Sequence, residues 1–149
     1  LKKCDTAIDI IHLGLRSNPE DLGLLNNLAY CYALSGQVLR AESILDKINL
    51  NAINVPNNTK ICLTATRGLV EYRKGNTESG RMLYMKAMTD AQGLGCEKGL
   101  IEKALLNFIR EEIMFNTNYD TGLLYLMDNV TSNDKEINQL KKDILAIIK

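Results

Sequence analysis

Four cysteines and one histidine are the residues of this chain best equipped for covalent or metal chemistry. Cys4, Cys31, Cys62 and Cys96 stand 27, 31 and 34 residues apart with no C-x-x-C pair, and His12 is far from any closely spaced partner. Zinc sites draw their ligands from short-range pairs, so this spacing argues against a metal centre. A cysteine nucleophile needs a base within hydrogen-bond reach, and nothing in the order of residues brings His12 to a thiol. The cysteines therefore read as free structural thiols of a helical core, which fits a reducing compartment, the cytoplasm. His12, near the middle of the first helix, reads as a partly covered surface residue. Gly93-x-Gly95-x-x-x-Gly99 has the glycine density of a phosphate loop, but it follows a helix and lacks a Gly-Lys-Ser/Thr continuation. It reads as a helix-breaking loop. The pair Glu111-Glu112 reads as a solvated helix surface. With no nucleophile, base and orienting group in one place, the chain reads as a non-enzyme without cofactor or metal.

Composition narrows the class. The 149 residues suffice for one domain or a stack of three to four helical pairs. Hydrophobic residues make up 46%, Trp is absent and there are only two prolines, which favours helix throughout. Lys plus Arg and Asp plus Glu number 18 each, so no global basic field recommends nucleic acid. No apolar run approaches the ~18 residues of a membrane span. The chain begins at Leu1 without Met and shows no signal peptide, so the expectation is an excerpt of a longer protein.

Caps and periodicity place the elements. Residues 3–16 form a helix. Asn18-Pro19-Glu20-Asp21 reads as an N-cap, a first-turn proline and acids that favour the helix dipole, opening a helix that ends near Ser35-Gly36. Its partner runs over residues 37–48. Residues 49–58, rich in Asn and carrying Pro56, form a loop. Helices follow at 60–74 and, after an Asn76 cap, at 77–91. Ile101, Leu105, Phe108 and Ile109 share one face of a helix over 98–115. Residues 119–129 are its antiparallel partner. Ser132-Asn133-Asp134 caps a last helix with an apolar stripe of Ile137, Leu140, Ile144 and Ile147.

The segments repeat. Ala7 and Ala41 lie 34 residues apart (41 − 7), with Ile11 and Leu45 in register. Leu28, Ala29 and Tyr32 give a large, small and aromatic residue in one helix; Gly36 marks the turn, and Ala41 and Leu45 continue in the next. Gly68, Gly75 and Gly80 reproduce the 7- and 12-residue steps from Ala29 to Gly36 and Ala41, with Tyr84 and Ala87 beyond. The first-helix aromatic is missing there, because Glu71 takes its place, and the spacing to the third copy is 39 (80 − 41). This pattern resembles the tetratricopeptide repeat, a 34-residue helix–turn–helix unit that buries its apolar face only by stacking. The likeness covers residues 6–91 well and the rest poorly. It implies an all-α antiparallel helix-pair solenoid of seven to eight helices in one domain. Its parts are a half repeat over 1–20, repeats over 21–55 and 58–92, a divergent repeat over 97–131 and a capping helix over 132–149. Small residues at Ala29, Ala41, Gly68 and Gly80 would let helices cross closely.

The resemblance also implies where a partner binds. First helices of such repeats line a concave groove, and their inward positions map onto Gly23, Asn26, Asn27, Tyr30, Ala33 and Leu34. In the next repeat they map onto Cys62, Ala65, Thr66, Leu69, Tyr72 and Arg73, and in the divergent one onto Lys103, Leu106 and Arg110. Asn side chains can grip an extended backbone, and tyrosines offer flat area with a polar tip. The groove residues expected to carry binding are Asn26, Asn27, Tyr30, Leu34, Thr66, Leu69, Tyr72, Arg73, Lys103 and Arg110. The repeats that hold the acidic C-termini of heat-shock chaperones carry Lys and Asn where Asn26 and Tyr30 stand here, so that partner is not expected. The leading expectation is a protein- or peptide-binding scaffold. The alternatives are a regulatory or oligomerisation tail of a larger enzyme or effector, and a nucleic-acid-binding repeat using the stripe Arg67, Arg73, Lys74, Arg81 and Lys86. The apolar residues Ala7, Ile8, Ile10, Ile11, Leu13 and Leu15 exceed what one neighbouring helix covers, so self-association through residues 3–16 is expected.

Overall fold

A computed structural model of the chain describes residues 2–50, 55–115 and 121–148. Among these residues there are eight α-helices and no strand: α1 (Lys2–Ser17), α2 (Leu22–Leu34), α3 (Val38–Leu45), α4 (Asn57–Arg73), α5 (Thr77–Gly93), α6 (Lys98–Phe115), α7 (Thr121–Asp128) and α8 (Lys135–Ile148). Residues 51–54 of the expected loop, and 119–120 at the start of the expected seventh helix, lie outside the described residues.

The helix ends differ from expectation where a nearer group does the capping. Asp21, not Asn18, caps α2: its Oδ1 accepts from the Leu24 N–H at 2.9 Å, and Pro19 and Glu20 belong to the turn before it. Asn76 occupies the N-cap place of α5, but its amide donates to Glu71 at 2.7 Å instead of bonding the helix backbone. Asp134 does cap α8, accepting from the Glu136 and Ile137 N–H groups at 2.8 and 3.2 Å. α3 stops at Leu45, before the expected end at Ile48, because Lys47 and Ile48 bond carbonyls only three residues back.

Helices α2, α4 and α6 lie side by side, α2 against α4 and α4 against α6. Against this layer pack α1 and α3 on α2, α5 on α4 and on α6, and α8 on α6. Small residues decide how closely the pairs approach. Ala29 and Ala41 are fully buried in the α2–α3 pair. In the α4–α5 pair the backbones nearly touch: a Cβ on Gly80 would stand 2.9 Å from the Gly68 carbonyl oxygen and 2.5 Å from the Tyr72 ring. Glycine is needed there for room.

The turns after α2 and α4 close alike, as does the end of α5, where Gly95 has φ 62° and the Cys96 N–H reaches the Ala91 carbonyl at 3.0 Å. Gly36 and Gly75 both adopt positive φ, 82° and 87°, a conformation that favours glycine. The N–H after each glycine reaches back to the helix: Gln37 to the Tyr32 carbonyl at 2.8 Å, Asn76 to the Glu71 carbonyl at 2.9 Å. The same closure thus recurs at an interval of 39 residues (75 − 36). In α8, Ile137, Leu140 and Ile144 are buried, whereas Ile147 of the expected stripe is exposed. Along α1, Ile8 and Ile11 are buried, while Ile10 and Leu13 are 63% and 60% exposed.

Candidate functional site: a polar cleft between helices

Three helices of one layer and one covering helix bring polar side chains to a common hollow. α2 supplies Asn26, Asn27 and Tyr30; α4 supplies Cys62 and Thr66; α6 supplies Lys103 and Asn107; α8 supplies Glu136. Ile61, Ala65, Leu100 and Ala104 make its apolar walls, and its volume is about 140 Å³. The helical period explains the convergence. Asn26 and Tyr30 are four apart on α2, Cys62 and Thr66 four apart on α4, and Lys103 and Asn107 four apart on α6 (30 − 26, 66 − 62, 107 − 103), so each pair shares a face.

Hydrogen bonds fix four of these eight groups. The Tyr30 hydroxyl donates to Asn107 Oδ1 at 2.8 Å, and Asn107 Nδ2 donates to the Lys103 carbonyl at 2.9 Å. Lys103 Nζ pairs with Glu136 at 2.6 Å, and the hydrogen bond to that carboxylate raises its pKa. Burial raises the pKa of Tyr30 and of the Cys62 thiol, so both are protonated at neutral pH. Asn26 is different. It is buried, and its Oδ1 has no hydrogen-bond partner among the described residues. The cleft is therefore neutral, protonated and hydrogen-bonding, with one wall group left unmatched.

Of the ten residues expected to line a groove, Asn26, Asn27, Tyr30, Thr66 and Lys103 border this cleft. The other five do not. Leu69 and Tyr72 of α4 are fully buried, as are Ala33 of α2 and Leu106 of α6 from the wider set, because their helices turn those positions into the core instead of the open face. Leu34 is half-buried against the core. Arg73 and Arg110 point their charges at Glu111, at 3.0 and 2.9 Å, and Arg110 is itself buried.

The same region corrects the reading of Glu111-Glu112 as solvated. Glu111 is 0% and Glu112 7% exposed. Arg81 grips Glu112 with two nitrogens, each at 3.1 Å from a carboxylate oxygen, and the Tyr72 hydroxyl donates to Glu112 as well. Burial, then the bond to Glu112, raises the Tyr72 pKa. Buried carboxylates persist only when paired in this way. The cluster is a tie between α4, α5 and α6, and no solvated face.

The basic stripe is internally neutralised. Arg67 donates to the Leu45 carbonyl at 2.5 Å and faces Asp46 at 3.9 Å; Lys74 pairs with Glu42 and Glu71, Arg81 with Glu78 and Glu112, Lys86 with Asp90. The four cysteines are half-buried and form no disulfide, and no group of three His, Cys, Asp or Glu side chains among the described residues could hold a metal ion. His12 is exposed and its Nε2 meets the Tyr32 hydroxyl at 3.1 Å. Among the described residues, no helix is long and apolar enough to cross a membrane.

Asn107 and Glu136 were not expected in the site. Asn107 was legible, because it lies one turn after Lys103 on a helix whose face was already assigned. Glu136 was not, since nothing local tells that α8 folds back against α6. A larger hollow of about 580 Å³ has mainly aliphatic walls, Leu22, Leu25, Ile44, Ile48 and Val55, and lacks a comparable convergence of polar groups. Comparison with protein-family models, with curated proteins and with solved structures gives no match to this chain.

Proposed function

We propose that the chain is a tetratricopeptide-like helix-pair stack that acts without catalysis, holding a segment of another protein against the α2–α4–α6 layer. The observation that carries this reading is the cleft itself: polar side chains from successive helices converge on one hollow while the charges around it are paired among themselves. A few well-placed polar groups over apolar walls are what a recognition site requires. Support for the repeat architecture comes from the shared closure at Gly36 and Gly75, from the full burial of Ala29 and Ala41 and from the close approach of Gly68 and Gly80. The pairing of each cation in the basic stripe weighs against nucleic acid, whose binding needs cations available to phosphates.

The reading is tested by selecting peptides from a random display library on the 149-residue chain. Tyr30→Ala and Lys103→Ala should weaken the selected peptides at least about tenfold, as loss of a central contact does. Met82→Ser, at an exposed position of α5 outside the cleft, should leave them unchanged. Peptides insensitive to both cleft variants would place recognition elsewhere and overturn the proposal.

One observation favours a second surface. Ile10 and Leu13 expose their side chains on the outer face of α1, where a second copy of the chain could cover them.

A further inference from the structure

Cys4 and Cys31 stand 27 residues apart in the sequence, on two helices that pack against each other. A Cβ on Gly14 of α1 would stand 2.8 Å from Leu24 Cδ1 of α2, and His12 Nε2 meets the Tyr32 hydroxyl at 3.1 Å. Moving back along α1 is therefore moving forward along α2. From Gly14 to Cys4 is ten residues (14 − 4), about 15 Å, and from Leu24 to Cys31 seven (31 − 24), about 10 Å. The two cysteines come level to within about one helical turn. They also face one another. Cys4, Ile8 and Ile11 share one side of α1, the side on which Ile8 and Ile11 are buried. Leu24, Leu28 and Cys31 have the same spacing on α2, with Leu28 buried and Cys31 packed on the core. Burial, then the charge and hydrogen bond of the neighbouring Cys4 thiol, raises the pKa of Cys31 to about 11. Both thiols are half-buried, and both lie in the end turns of their helices, where a small shift brings two sulfurs into bonding distance.

We propose that Cys4 and Cys31 form a reversible disulfide that fastens α1 to α2 when a disulfide oxidant is present. Glutathione disulfide supplies the chemistry. The Cys4 sulfur bonds to one glutathione sulfur and expels the other glutathione as its thiol. The Cys31 sulfur, giving its proton to solvent, then bonds to Cys4 and expels the second glutathione. The two protein thiols lose two electrons and two protons in all, and glutathione disulfide becomes two thiols. Cys62 and Cys96 make a poorer pair. The Cys96 thiol is already spent on Asn58 Oδ1 at 3.1 Å, and Lys103 acts on Cys62 more strongly than Cys96 does. The helix that the cross-link fastens carries the exposed Ile10 and Leu13, so oxidation holds that outer face in place. This inference is independent of the peptide-binding reading.

The test equilibrates the 149-residue chain with glutathione disulfide, alkylates the remaining thiols and digests with trypsin without reduction. Each cysteine falls in its own peptide: residues 4–16, 17–40, 61–67 and 87–98. Mass spectrometry should find the first two joined in most chains and the last two alkylated. Oxidation should also raise the melting temperature by about 5 °C or more, because the cross-link restricts the unfolded chain. Amide exchange over residues 8–15 should slow about tenfold or more, and dithiothreitol should reverse both effects. Cys31→Ser should instead keep a glutathione on Cys4 and gain no stability. Peptides 4–16 and 17–40 recovered apart, as alkylated thiols or as separate glutathione adducts, overturn the proposal, as does preferential linkage to Cys62 or Cys96. A Cys4–Cys31 link that leaves exchange along α1 unchanged overturns its role as a fastening. All of these outcomes are read on the parent chain, whether or not the variant folds.

Discussion

At the scale of single residues, identical side chains do opposite things according to what surrounds them. Gly80 and Gly93 both lie in α5, yet only Gly80 is hemmed in, by the Tyr72 ring and the Gly68 carbonyl; a Cβ on Gly93 would meet nothing within 4 Å. Glycine within a helix costs about 1 kcal/mol relative to alanine. Gly93→Ala should therefore gain a few tenths to about 1 kcal/mol in denaturant unfolding. Gly80→Ala should instead lose about 1–3 kcal/mol, because the backbone oxygen of Gly68 cannot swing aside as a flexible side chain could. Two changes of the same sign would mean that the α4–α5 backbones are farther apart than described. Tyr30 and Tyr72 make the same contrast. One borders the cleft and donates to Asn107, while the other is sealed in the core against Glu112.

At the scale of elements, each helix is positioned by a local stop or start and a long-range partner. α8 has both. Asp134 caps its first turn, and Ile137 and Ile144 are fully buried, with α8 packed on α6. The two backbone hydrogen bonds, from Ile137 and then Glu136, lower the pKa of Asp134 below the usual carboxylate value. The sign of the pH effect follows. A carboxylate with a lowered folded-state pKa contributes stability that is fully present above its unfolded value, near pH 4. That contribution is lost as pH falls through the lowered folded value. Asn is an equally good N-cap that does not titrate. Asp134→Asn should thus match the parent's melting temperature at pH 7 and fall less steeply than the parent below about pH 4. Parallel acid limbs for the two proteins would remove Asp134 from the helix cap in solution.

At the scale of the whole molecule, α2, α4 and α6 form the face on which the cleft opens, and α1 lies at one end with an uncovered outer side. Ile8 and Ile11 face inward, so Ile11→Ala should cost about 2–5 kcal/mol, the range for truncating a buried Ile. Ile10→Lys with Leu13→Lys should leave the melting temperature within about 2 °C, as surface substitutions do. The same pair should abolish any concentration-dependent rise in mass seen by sedimentation. A parent chain that stays at 16.7 kDa at every concentration would rule out α1 as a self-association surface.

The helical class, the succession of elements and the breaks at Gly36, Gly75 and Gly95 were legible in the sequence, because they depend on local physics. Apolar periodicity assigns a helix its face, and a positive φ, here 82°, 87° and 62°, calls for glycine wherever the helix ends in that turn. The close crossing at Gly68–Gly80 was legible for the same reason, because a small residue at a helix interior has little else to do. Tertiary structure alone decided the depth of each face. Arg110 lies seven residues after Lys103 on the same side of α6, yet Arg110 is buried while Lys103 borders the cleft, and Leu69 and Tyr72 of α4 are fully buried. Glu111-Glu112 looks like surface from its charge, and only the arrival of Arg73, Arg81 and Arg110 lets it sit inside. Glu136 enters the cleft from a helix whose docking on α6 no local signal encodes. Helical period selects the side of an element from nearest-neighbour geometry. Which part of that side stays open depends on contacts between residues far apart in the chain, and only the folded arrangement supplies them.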